Sequence, residues 1–77
     1  MDWIDLDKKR EYLWGILAKE AEGDIVRALR RILESTRTLA RPGSEDPDTD
    51  RYLFLIAHGR LEAVEDVILY LYGPEGR

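Results

Sequence analysis

His58, Glu62 and Glu65 stand at i, i+4 and i+7, a spacing that puts one imidazole and two carboxylates on the same side of a helix. Such a trio has the chemistry to ligate a divalent cation or to relay a proton. The set is incomplete, because helical di-metal sites draw a Glu-x-x-His unit from each of two helices and no such unit occurs in this chain. A solvated polar strip is the expectation, with no metal and no cofactor. Cysteine is absent and His58 is the single histidine, which excludes thiolate sites and an all-nitrogen site within one chain. Ser35 and Ser44 lack the strand-turn-helix setting of a nucleophilic serine, and the glycines form no phosphate-cradling loop. The residues describe no enzyme.

A second candidate is cationic. Arg27, Arg30, Arg31 and Arg37 recur on the polar side of a periodic segment, within a stretch from Asp24 to Gly43 that carries a net +3. Its flanks are acidic, −2 before it and −5 after it, so charge is segregated along the chain. These four arginines suit phosphate contact, which makes a nucleic-acid-binding or regulatory protein the alternative functional reading. The total charge of −4 weighs against it, since free nucleic-acid-binding domains tend to be net basic. A DNA-reading helix-turn-helix fits poorly too, because the connection is long and the second helix is the more apolar one. Arg60 is a different case. On a helical wheel it falls among Leu53, Ile56, Val67 and Leu71, where a charge must find a carboxylate, run its stem out to water or sit at a subunit boundary.

Three helices must position these groups. Periodic Leu6, Leu13, Leu17 and Ala21 predict a first helix over 5–22, capped by Asp5 or Asp7. Gly23 then ends it in a left-handed turn and Asp24 caps a second helix over 24–40. Ile25, Val26, Leu29, Ile32, Leu33, Thr36, Leu39 and Ala40 share one side of that helix. Pro42 and Gly43 open a breaker over 41–46. Asp46-Pro47 restarts the chain with a capping aspartate and a proline suited to the first helical position, giving a third helix over 47–72 stopped by Gly73-Pro74. The tail 73–77 is expected to fray. The fold class is all-α, one domain built on a central antiparallel hairpin of helices two and three.

Helix three carries the strongest case for association. Of the 22 residues from Arg51 to Tyr72, 15 are apolar or aromatic, far more than a single apolar stripe needs. Either both other helices pack on it or a second chain does. A 77-residue domain hides only about 60% of its unfolded surface, and without disulfides or metal the usual remedy is self-association. The expected oligomer interface is Leu53, Ile56, Gly59, Arg60, Ala63, Val64, Val67 and Leu71. Trp3 and Tyr72 are the expected exposed aromatic anchors.

Asparagine and glutamine are missing and arginine exceeds lysine nine to three, a composition that fits a thermophilic or GC-rich source. The acidic start, Met1 to Asp7, lacks the features of a signal peptide, and the longest apolar runs are too short to cross a bilayer. A cytoplasmic protein with no membrane role is expected.

Two likenesses add to this reading. Glu62-x-x-Glu65 resembles half of the carboxylate signature of all-α nucleotide pyrophosphatases, without the second acidic motif. The segments Asp46-Pro47 through Arg51 and His58-Gly59-Arg60-Leu61-Glu62-Ala63 resemble small helical-hairpin proteins of tailed bacteriophages, over about half the chain. That resemblance implies a viral accessory acting in assembly or host takeover, in host cytoplasm or virion, with no catalytic residues. The functional expectation is a non-enzymatic protein-protein interaction or assembly protein, homo-oligomeric, its other protein partner not named by the residues.

Overall fold

The structure is a computed structural model and describes residues 2–39 and 46–73. Among these the chain is all-helical with no strand: α1 spans Trp3–Ala18, α2 Asp24–Arg37 and α3 Pro47–Tyr72. Ala40, breaker residues 41–45 and tail residues 74–77 lie outside the described residues. No helix among the described residues is long and apolar enough to cross a membrane.

Local chemistry sets each boundary. α1 begins two residues earlier than the periodicity suggests, because Asp2 rather than Asp5 or Asp7 is the cap, its Oδ1 accepting from the Ile4 N–H at 2.9 Å. It also stops four residues sooner, at Ala18. The Lys19 and Glu20 amides fold back in a tighter turn onto the Ile16 and Leu17 carbonyls, each at 3.1 Å. The Arg30 Nη2 adds a long contact to the same Leu17 carbonyl at 3.5 Å. Gly23 is then the N-cap of α2 in an extended conformation, not a left-handed stop, and Asp24 is the first helical residue.

α2 ends at Arg37 instead of 40. Its last turn and C-cap carry Ser35, Thr36 and Thr38, whose hydroxyls donate to the carbonyls three residues back, Ile32, Leu33 and Ser35. Such local bonds compete with the helical ladder. α3 begins where Asp46-Pro47 places it: Asp46 Oδ1 accepts from the Thr49 N–H at 2.9 Å, which also holds the Asp46 carboxyl below the usual carboxylate range. At its other end Gly73 adopts φ 74°, a left-handed conformation that favours glycine, and its N–H bonds the Leu69 carbonyl at 2.9 Å.

All three helices pack on one another around one core. α1 supplies Leu6, Leu13, Ile16 and Leu17, α2 supplies Val26, Leu29 and Leu33, and α3 supplies Ala57, Leu61, Val64 and Ile68. Contacts between α1 and α3 advance in the same sense, Trp3 with Phe54 and then Lys9 with Glu62 and Glu65. Those between α1 and α2 run in opposite senses, Arg10 with Thr36 and Trp14 with Arg30. Length is mismatched. At 1.5 Å per residue the 26 residues of α3 reach about 39 Å, whereas α1 and α2 reach about 24 and 21 Å. Because α1 and α2 lie side by side, neither covers the long helix end to end.

Candidate functional site

Glu62 and Glu65 share one partner, and His58 is engaged with another. Lys9 of α1 reaches across to α3, its Nζ 2.5 Å from Glu62 Oε2 and 2.9 Å from Glu65 Oε1. The hydrogen bond from Lys9 holds the Glu62 carboxyl below the usual carboxylate range, and the two carboxylates raise the Lys9 ammonium above the usual lysine value. His58 stacks on Phe54, ring centroids 6.2 Å apart at 16°. Among the described residues no group of three potential metal ligands converges. The arrangement is an inter-helix clasp.

Its sign with pH follows from the two directions. A depressed Glu62 contributes stability above its unfolded pKa and loses it as pH falls through the folded value; a raised Lys9 contributes up to the ordinary lysine range and loses it as pH climbs past that. Lys9→Met is therefore expected to lower the urea midpoint on the neutral plateau and to match the parent in strong acid. Both groups are partly solvated, so the difference is expected to be small and to shrink further with salt. Parallel curves at all pH values would contradict the clasp.

The arginine face is largely consumed by the chain itself. Arg27 pairs with Asp24 at 2.5 Å and Glu22 at 3.7 Å; Arg30 pairs with Glu22 at 2.8 Å and lies over the Trp14 ring at 5.9 Å; Arg37 sits 3.8 Å from Glu34. Arg31 is exposed and makes no ion pair with a described residue.

Arg31 instead lines an open groove between α2 and α3, with Ala28, Ile32, Ser35, Arg60 and Ala63. Arg60 is half-buried there, and its Nη1 donates to the Ser35 Oγ at 3.0 Å. It has no carboxylate partner among the described residues, so the charge that the helical wheel placed among apolar residues is met by a hydroxyl at a groove wall. Ile32 of this groove is 38% exposed, and Ile25, Val67 and Tyr70, which share a helix side with the groove residues by spacing, are 55%, 38% and 88% exposed.

The residues expected at an interface divide in two. Gly59, Ala63, Val67 and Leu71 are exposed and Ile56 is half-buried, all on the outer side of α3 with Arg60. Val64 is a correction: it is 1% exposed inside the single chain, because α1 and α2 approach α3 from the side it occupies. Leu53 is half-buried against the core. The aromatic anchors are corrected as well. Trp3, inside the first turn of α1, is buried edge-on against Phe54 at 5.6 Å, and Tyr72 packs on the core. Tyr70, Tyr52, Tyr12 and Trp14 are aromatics left exposed.

Three residues sit differently from what periodicity predicts. Periodicity places Ile25 and Ile32 on the inward side of α2, yet they remain exposed. Arg10 is buried, bonded to Asp7 and to Thr36 Oγ1 at 3.1 Å. Its signal was present: Leu6, Arg10, Leu13 and Leu17 follow the four-three-four spacing of a buried stripe. No protein-family model, curated protein or solved structure matches this chain.

Proposed function

We propose that this chain is a non-enzymatic assembly protein, whose central antiparallel hairpin of α2 and α3 docks on protein through its outer face and self-associates. The observation that supports the reading is the apolar surface remaining on α3 after both other helices have packed against it. Val67, Leu71 and Tyr70 of α3 stay 38%, 40% and 88% exposed, and Ile25 and Ile32 of α2 stay 55% and 38% exposed. A contiguous apolar area rimmed by charge marks an interaction surface. A viral accessory role, as the phage likeness implies, is one setting for such a piece.

The nucleic-acid alternative is less well supported, since Arg27, Arg30 and Arg37 are engaged with carboxylates of their own chain. Solution mass by light scattering across the micromolar range tests the proposal. A mass that rises to a discrete multiple of 9.0 kDa is expected, and Ile32→Glu, at a position already at the surface, is expected to return it to the monomer with helicity intact. A strictly monomeric, fully helical protein at all concentrations overturns the reading. Retention on DNA at low salt that is lost in Arg31→Ala would favour the alternative.

A further inference from the structure

We infer that the outer face is filled by a second copy of this chain, docked about a two-fold axis running along the hairpin, so that α2 of each copy lies on α3 of the other with Arg31 opposite Asp66. This rests on the docking function proposed above and specifies its partner and register.

The register comes from the single chain. Ser35 bonds Arg60, and Ile32 lines the same groove as Ala63, so residues of α2 and α3 whose numbers sum to about 95 lie level with one another. An axis along the hairpin preserves height, so the same sum governs contacts between copies. Arg31 then lies level with position 64 of the second copy's α3, between Glu62 and Asp66. Glu62 is held by its own Lys9. Asp66 is exposed and has no ion pair with a described residue, as is true of Arg31.

Charge selects this arrangement among the symmetric ones. On this face the charges without an ion pair to a described residue are Arg31 of α2 and Asp66 of α3, with Arg60 bonded to the Ser35 hydroxyl. Laying α2 on α2 would set Arg31 near Arg27 and Arg31 of the other copy, and laying α3 on α3 would set Asp66 near Glu62 and Asp66. Like charges brought together and desolvated at an interface oppose association, whereas α2 on α3 pairs opposite signs twice. Shape agrees. The middle of the face carries Ala28, Gly59 and Ala63, and a Cβ placed on Gly59 meets nothing within 4 Å, so a second helix has room to approach closely. Ile25 and Val67 flank that centre and would be covered by the other copy.

The test is charge reversal on the full chain, read by sedimentation equilibrium with helicity monitored. Arg31→Glu and Asp66→Arg are each expected to weaken the dimer about tenfold. An equimolar mixture of the two single variants is expected to associate more tightly than either alone, because it contains one native and one reversed pair, and the double variant R31E/D66R is expected to recover. If Asp66→Arg alone strengthens a dimer, α3 meets α3; if Arg31→Glu alone strengthens it, α2 meets α2. Either result, or a dimer indifferent to both changes, overturns the register while leaving self-association standing. A parent chain that is monomeric throughout overturns both.

Discussion

Leu61→Ala is expected to cost this domain about 3–4 kcal/mol and to lower its melting temperature by on the order of 15–25 °C. Leu61 is 0% exposed at the meeting of all three helices, together with Leu13, Leu17 and Leu33. Truncation there loses the transfer energy of the side chain and leaves a cavity that three helices held by one another cannot readily close. The total stability of a 77-residue domain is about 4–12 kcal/mol, so the loss is a large part of the whole. Leu55→Ala is the matched control. Leu55 lies on the same helix but is 56% exposed, and its truncation is expected to change stability by less than about 0.5 kcal/mol. Thermal unfolding followed by far-ultraviolet circular dichroism reads both, and equal melting of the two variants would refute the placement of the core.

The second large effect concerns the buried arginine, and the two partners are expected to respond unequally. Arg10 is 5% exposed; it bonds Asp7 and donates to Thr36 Oγ1, which in turn donates to the Leu33 carbonyl at 2.7 Å. Asp7→Asn keeps the shape but removes the negative charge, leaving a guanidinium in a largely dry site, at an expected cost of about 2 kcal/mol. Arg10→Met removes the charge and fills the same stripe position with an apolar chain of similar length. Because the Arg10 Nε already lacks a hydrogen-bond partner, this change is expected to stay within about 1 kcal/mol of the parent. Urea denaturation at neutral pH distinguishes them. An Arg10→Met variant clearly less stable than Asp7→Asn would mean that the guanidinium contributes more than its burial costs.

Much of this architecture is legible in the residues because it is local. Asp46-Pro47 and Gly73 bound α3 through a cap, a fixed torsion and a left-handed glycine, all within a few residues of one another. The Leu6, Leu13, Leu17 series and the Val26, Leu29, Leu33 series identify two further helices and their inward sides. Boundaries were harder. α1 ends at Ala18 because backbone amides and Arg30, a side chain from the next helix, take up its last carbonyls, and α2 ends at Arg37 through hydroxyl groups of its own last turn and C-cap.

The candidate site was legible only as an excess. Counting apolar residues shows that α3 carries more than one stripe, but every residue around such a helix is equally eligible for the core until its neighbours are in place. The approach of α1 and α2 turned Val64 inward and left Val67 and Leu71 outside, moved Trp3 onto Phe54, and left Ile25 and Ile32 exposed. The same packing delivered Lys9 to Glu62 and Glu65, which are 53 and 56 positions away along the chain, and so converted a would-be ligand strip into a clasp.

From its residues alone, then, this protein is determined to be all-helical, cysteine-free, segregated in charge and richer in apolar surface on its third helix than one neighbour can cover. Only the tertiary structure decided that, among the described residues, Arg31 and Arg60 have no carboxylate and Asp66 no cation, and that both arginines line the groove. The reason is physical: caps and periodicity act over one or two turns, whereas burial and ion pairing depend on which helices meet, and that is set by the packing of the whole chain.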